Sequence, residues 1–366
     1  MSLSSVSRSV STIELSGSEL SGALGDSITV LPIVVSLAVL TPISLPHVLL
    51  LFGAFQVVWG VYYGLPISVE PMKALSALAI AGSISYAELA VAGLLAGVVL
   101  LVLGRTHSLS RVERFVGTPV VRGVQLAVSL LLLKLGLGLA VSNLRVAALG
   151  VALVVVAMAV SYRSASSLVV LGAGVAIAVA TAGVPTLHVP GVPTLPTVGL
   201  GVTDQMVEGT LAQLAMTVGN AAVATSLLFS DLFDADVSVD ELSTSMGVMN
   251  LCSVPLGGIP MCHGSGGLAG KYAFGARTAG ANVILGVLYA LAALVAGAGL
   301  LAAFPMAILG VLLVLVSIQL GRSGLQSDRL ALSAGIGVLG LVTNVGVAFL
   351  VGVAALQLLE RVDLSR

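Results

Sequence analysis

The sequence predicts an all-α polytopic membrane protein made of two inverted halves with seven segments each. Three observations predict it. First, 58% of the 366 residues are hydrophobic and only 8% are charged, with a mean hydropathy of +1.15. Soluble domains carry about 25% charged residues, so this chain cannot cover itself with a wetted surface. Second, the chain divides into about fourteen apolar runs, and a bilayer span needs roughly 20 apolar residues. Third, two Pro-broken polar stretches, Leu65 to Lys73 and Gly258 to Gly267, interrupt this apolar sequence at corresponding points of the two halves. Irregular backbone at membrane depth survives only where it is buried in protein or lines a wet cavity. Paired interruptions of this kind point to a transporter's substrate site.

Punctuation by Pro, Gly and charge sets the runs. The first half reads 23–41, 46–63, 66–82, 85–104, 116–140, 144–161 and 166–183. A polar, Pro-rich link follows over 184–203, with Pro185, Pro190, Pro193 and Pro196. The second half reads 206–230, 243–258, 260–279, 281–301, 304–320, 329–343 and 344–360. The third run of each half opens on a broken motif. The last two runs are short enough for a hairpin. The Ser-rich stretch 1–22 lacks the basic-apolar-small order of a cleaved signal and reads as a cytoplasmic lead-in.

Internal register supports a duplication. Gly25-Asp26 and Gly219-Asn220 lie 194 residues apart, and so do Pro66 and Pro260. Charge gives an independent test. An odd number of spans per half inverts the second half. With both termini cytoplasmic, Arg105, Arg111, Arg114, Arg163, Lys271, Arg277, Arg322, Arg329, Arg361 and Arg366 then fall on the cytoplasmic side. Of the remaining cations, Arg145 and Lys134 fall outside it. This is the positive-inside bias, and the linker 184–203 is then extracellular.

The same composition excludes several function classes. A net charge of -1 offers no basic surface to nucleic acid. Cys252 and Cys262, both in apolar sequence, imply no disulfide framework. Cys262-His263 without a second ligand cluster makes a poor zinc signature. No nucleophile-base-orienter set suggests an enzyme, and nothing calls for a cofactor. The acidic loop from Asp231 to Glu241 lacks the order of a calcium loop and reads as solvated.

The two broken motifs offer anion chemistry. A helix beginning in mid-membrane leaves its first N–H groups unpaired, with about half a positive charge at that end. Two such starts facing each other suit an anion. Pro71 and Pro260 bias the preceding residues toward extended backbone, so each motif reads as a short extended segment turning into a helix. The candidate substrate contacts are Ser68, Val69, Glu70, Met72 and Lys73 in the first motif. In the second they are Cys262, His263, Gly264, Ser265, Gly266 and Gly267, and Asp26 and Asn220 join them from the first and eighth runs. Ionisable groups inside spans are functional hypotheses by default. Lys73 lies three residues after Glu70 and can pair with it on one helix face, either as a structural pair or with Lys73 facing the anion while Glu70 exchanges a proton.

At these residues the chain resembles the molybdate transporter family, of the sulfate permease and nucleobase transporter fold. The matching stretches are Glu19 to Asp26, Tyr62-Tyr63-Gly64 through Ala74, and Pro260 to Gly270 with Phe274 to Thr278. The resemblance implies inverted seven-plus-seven repeats with broken helices three and ten. It implies core segments 23–104 and 204–301, and gate segments 116–183 and 304–360. It further implies an oxyanion held between the broken helices, an elevator-like step in the plasma membrane, and a homodimer. The usual pattern has Gln where this chain has Glu70, so a carboxylate there must be protonated or paired. Sulfate permeases often add a cytosolic STAS domain, which is not expected here. Sulfate or tungstate transport, a proton-coupled nucleobase-like substrate and an anion channel remain the alternatives.

Overall fold

The computed structural model describes residues 13–160, 165–191 and 202–364. Expectations for Arg163, Pro193, Pro196, Arg366 and the first twelve residues lie outside the described residues.

Local signals explain most boundaries of the first half. Helix α1 (Gly17–Leu40) starts inside the stretch read as a lead-in, because the Ser16 hydroxyl accepts the Glu19 N–H at 3.3 Å and caps it. Helix α2 (Leu45–Tyr63) opens on Pro46 and stops at Gly64, whose φ of 68° is a left-handed cap. Strand β1 (Val69–Pro71) leads into the short α3 (Lys73–Ile80). Helix α4 (Tyr86–Arg105) begins with a reciprocal Ser85–Glu88 capping box. The loop after it holds an unforeseen amphipathic helix, α5 (Leu109–Val116), with Arg111, Glu113 and Arg114 on its wet face. Helices α6 (Thr118–Ala140), α7 (Leu144–Ala159) and α8 (Ser166–Ala182) follow.

The second half opens with α9 (Asp204–Met216) and α10 (Ala224–Phe233), joined without a break by a π-helical turn at Thr217–Val223. Then come α11 (Val239–Ser253), strand β2 (Met261–His263), and α12 (Ser265–Ala273). Next are α13 (Gly280–Ala293) and the five-residue α14 (Ala298–Ala302). Helices α15 (Met306–Gly324), α16 (Leu330–Val342) and α17 (Val345–Leu364) complete the chain. Among the described residues, seven helical stretches are long and apolar enough to cross a bilayer, and three shorter apolar helices accompany them. The protein is a multi-pass membrane protein.

Helices of one half pack against helices of the other. Helix α2 lies on α13, α4 on α11, and α6 along α15. A twofold relation between inverted halves requires this exchange, since α2 corresponds to α11 and α4 to α13. Glycine permits each crossing. A Cβ on Gly53 would stand 2.8 Å from the Gly286 carbonyl oxygen, one on Gly247 2.6 Å from the Leu101 nitrogen, and one on Gly136 2.8 Å from the Gly310 carbonyl oxygen. Lipid tails are as apolar as Leu, so close backbone approach rather than water exclusion favours these contacts.

On this axis the broken motifs meet. Strands β1 and β2 pair antiparallel, with Val69 opposite His263, Glu70 opposite Cys262 and Pro71 opposite Met261. The Met72 N–H donates to the Pro260 carbonyl at 2.9 Å, and the Gly264 N–H donates to the Ser68 carbonyl at 3.3 Å. Pairing satisfies extended backbone that water cannot reach.

Candidate functional site

Beyond the strand pair, helices α3 and α12 start side by side, and side chains occupy both starts. The Gln213 side-chain oxygen, from α9, accepts the Ala74 N–H at 2.8 Å and caps α3. Glu70 Oε1 accepts the Gly267 N–H at 2.8 Å and caps α12. The expectation of two open helix starts is therefore corrected: each carries an internal acceptor, because orphan amides buried among apolar helices need a partner. Glu70 also pairs with Lys73 and accepts the Thr29 hydroxyl at 3.4 Å. Its carboxylate is thus paired. Gly264 and Gly267 have to be glycine here, since a Cβ on Gly264 would collide with Glu70 and one on Gly267 with Ser68 and Asp26.

Beneath the strands lies a fully buried polar network. Lys271 donates to the Ile67 carbonyl at 2.6 Å, to Gln56 Oε1 at 2.8 Å and to Asn282 Oδ1 at 3.1 Å, and stands 3.2 Å from Asp26 Oδ2. Asp26 accepts from Gln56 Nε2 at 2.6 Å and from the Ser68 hydroxyl at 2.5 Å. Asn282 Nδ2 donates to the Ile67 carbonyl at 2.7 Å. Lys271 therefore does not close the tenth span at the cytoplasmic surface. Its helix starts in mid-molecule, so two turns later Lys271 is still inside. An ammonium there persists because every donor has an acceptor and a carboxylate is adjacent.

The candidate residues all gather at this locus but divide into two groups. Lys73, Asn220, Ser265 and Gly266 line a cavity of about 120 Å³ together with Thr29, and its opposite wall is Gln125, Val316, Gln319, Leu320 and Ser323 from α6 and α15. Gly266 faces open space, with nothing within 4 Å of where a Cβ would stand. Asn220 belongs to the π turn and accepts the Ser265 hydroxyl at 3.3 Å. Such turns recur at functional sites because they redirect a side chain. A smaller space behind Asn220 is lined by Glu70, Lys73, Gln213, Cys262, His263 and Gly264.

The second group sits behind the cavity lining and holds it. Asp26 and Ser68 are engaged with each other, and the Val69 carbonyl accepts from Gln56 at 3.2 Å. Met72 is fully buried, and Gly267 gives its N–H to Glu70. His263 is also occupied by protein. The Ser68 carbonyl, 3.2 Å away, requires a proton on Nδ1, and Nε2 is hydrogen-bonded with the Ser245 hydroxyl at 2.8 Å. Trp59 and Tyr63 meet its ring at nearly right angles.

Gln56, Asn282, Gln213, Gln125 and Gln319 went unnoticed in the sequence, and Lys271 was read there only as a cytoplasmic-side cation. The available signal was an uncharged amide in the middle of an apolar run, which is costly unless it is hydrogen-bonded. Glu19 was also missed. It accepts the N–H groups of Arg277, Thr278 and Ala281 at 2.9–3.0 Å and so caps α13 from α1.

A family profile described as "Molybdate transporter of MFS superfamily" matches residues 18–132 and 205–320, which hold both broken motifs and all of the cavity lining but Ser323. The chain belongs to the molybdate transporter family. Among its relatives, Molybdate transporter 1 of Arabidopsis thaliana is 32% identical, across 83% of this chain and 79% of that protein. Molybdate transporter 2 of the same plant is 29% identical, across 84% and 78%. Two solved structures share the fold. The transmembrane domain of the cyanobacterial bicarbonate transporter BicA superposes with a TM-score of 0.66 at 15% identity, covering 91% of this chain and 96% of that one. The murine Solute Carrier 26 family member A9 anion transporter, in its inward-facing state, gives 0.68 at 15%, covering 94% and 68%.

Proposed function

We propose that this protein is a secondary transporter that takes up molybdate across the plasma membrane, with both termini in the cytoplasm. The observation that carries this reading is the cavity between Lys73, Ser265 and Gly266 on one side and α6 and α15 on the other. Its donors suit a tetrahedral oxyanion, and the chain's relatives are molybdate transporters. Sulfate and tungstate have the same shape and charge and are the natural competitors.

The charges suggest how binding and coupling work. Asp26 and Glu70 are balanced by Lys271 and Lys73, so these four groups together bring no net charge to the site. A dianion must then be met by dipoles and by a cation released from its partner. Protonation of Glu70 would release Lys73 to the anion while leaving the Gly267 N–H an acceptor, which makes Glu70 the coupling residue. The cavity lies between two bodies, a core of 23–104 and 204–301 and a gate of 116–183 and 304–360. An elevator-like step would carry the core and its anion past the gate. By the positive-inside rule the end bearing Arg105, Arg111, Arg322 and Arg329 faces the cytoplasm, and the wall from Val316 to Ser323 runs toward that end.

Uptake of labelled molybdate into liposomes containing the purified protein tests this, with sulfate as competitor. Concentrative uptake that survives an equal concentration of sulfate is expected. Absent uptake, or uptake abolished by that sulfate, would overturn the molybdate assignment.

A further inference from the structure

The gate wall contains a polar pair, of which only Gln125 has been named so far, as cavity lining. On α6, Arg122 and Gln125 lie one turn apart, and an Arg122 guanidinium N–H donates to Gln125 Oε1 at 3.1 Å. Arg122 lines a cavity of about 40 Å³ with Glu113, Thr118 and Asn220, while Gln125 lines the cavity of about 120 Å³ that reaches Lys73 and Gly266. Asn220 borders both, so the two spaces meet at that residue. The smaller one is large enough for water.

The pair has a built-in polarity. A guanidinium has donors only, so the atom of Gln125 facing it must be the oxygen. The amide NH2 of Gln125 is then turned the other way, and Gln125 lines the larger cavity. A lone glutamine could present either end to a ligand, but this one is held with donors outward. Arg122 retains capacity of its own: its Nε is buried without a hydrogen-bond partner, and among the described residues it forms no ion pair within 4 Å. The neighbouring carboxylates are Glu113, on the cavity wall, and Asp328. Buried donors of this kind are usually satisfied in native proteins, which fits a group that meets a transient ligand.

We propose that Gln125 is the gate-side contact of the bound oxyanion and that Arg122 holds its amide in the donating orientation and gives the anion its next contact on the way to the cytoplasm. This rests on the oxyanion reading of the cavity. Gln125 thereby selects for acceptor-only ligands, and Arg122 acts as a positioning residue for it in the bound state.

Gln125→Glu separates this role from a structural one. A glutamate keeps, and strengthens, the bond to Arg122 but presents only acceptors to the cavity. Molybdate binding to the purified protein is measured by titration, with the melting temperature as a check on folding. We expect Q125E to melt as the wild type does and to bind molybdate at least tenfold more weakly. R122Q is expected to weaken binding severalfold and to flatten its dependence on ionic strength. Binding by Q125E within twofold of wild type overturns the proposal. Should Q125E fail to fold, R122Q decides, and unchanged affinity and salt dependence in that variant overturn it equally. Wild-type protein that binds no molybdate overturns instead the oxyanion reading on which the proposal rests.

Discussion

At the scale of single residues, the site is a set of compensated charges rather than an exposed cationic pocket. Glu70 stands at its centre because it takes the Gly267 N–H and the Lys73 ammonium at once. Glu70→Gln keeps an acceptor for Gly267 while freeing Lys73. It should therefore raise oxyanion affinity, on the order of tenfold for one charge-assisted bond released, with loss of any proton dependence. Titration at two pH values checks both. Lys271 has the opposite character, since nothing but protein surrounds it. Lys271→Met leaves the Asp26 carboxylate buried and unpaired and should lower stability by about 3–5 kcal/mol. Adding Asp26→Asn should recover part of that loss, and thermal unfolding of the single and double variants measures it. Of these groups, Glu70 and Lys73 were legible as a close ionisable pair in a broken motif, but not on one helix face as expected, since Glu70 lies in β1 and only Lys73 in α3. Lys271 was not, because its depth depends on where its helix begins.

At the scale of elements, the sequence reads well wherever one strong local signal acts. Pro46, Gly64 and the Ser85–Glu88 box fix helix ends to within a residue or two. The two broken motifs announce themselves through Pro and polar residues in apolar sequence. Contacts set from elsewhere in the chain do not read this way. Helix α1 begins at Gly17 rather than near residue 23 because the local Ser16 cap is backed by a distant contact, its first turn packing against the turn before α13, which Glu19 caps. The same holds for α3, whose start is closed by Gln213 from 139 residues away. The inter-half crossings give an element-level prediction. Gly136→Leu forces α6 from the Gly310 backbone of α15 and should destabilise by about 1–3 kcal/mol or more. Gly138→Leu, two residues on with open space around it, should be neutral. Melting temperatures of the two variants decide.

At the scale of the whole molecule, the pairing of α2 with α13 and of α4 with α11 braces the two halves against each other, while α6 and α15 present a separate wall to the site. A body that slides past this wall would expose the cavity to one side at a time. If the cavity opens to the cytoplasm, a cysteine at Ser323 should react with an impermeant thiol reagent only from the cytoplasmic face, and saturating molybdate should slow the reaction severalfold. Labelling in right-side-out and inverted vesicles measures this, and equal labelling from both faces would contradict it. The sequence by itself determined the membrane class, the run order, the inverted duplication and the location of the two broken motifs. Each follows from apolar content, punctuation and charge bias, which act along the chain. Only the tertiary structure decided which donors stay open. Whether an amide near the site is a cap, a brace or a free contact depends on partners more than 200 residues distant, as with Lys271 and Gln56, 215 apart. In a medium without water each buried polar group has to take whichever partner the fold brings to it.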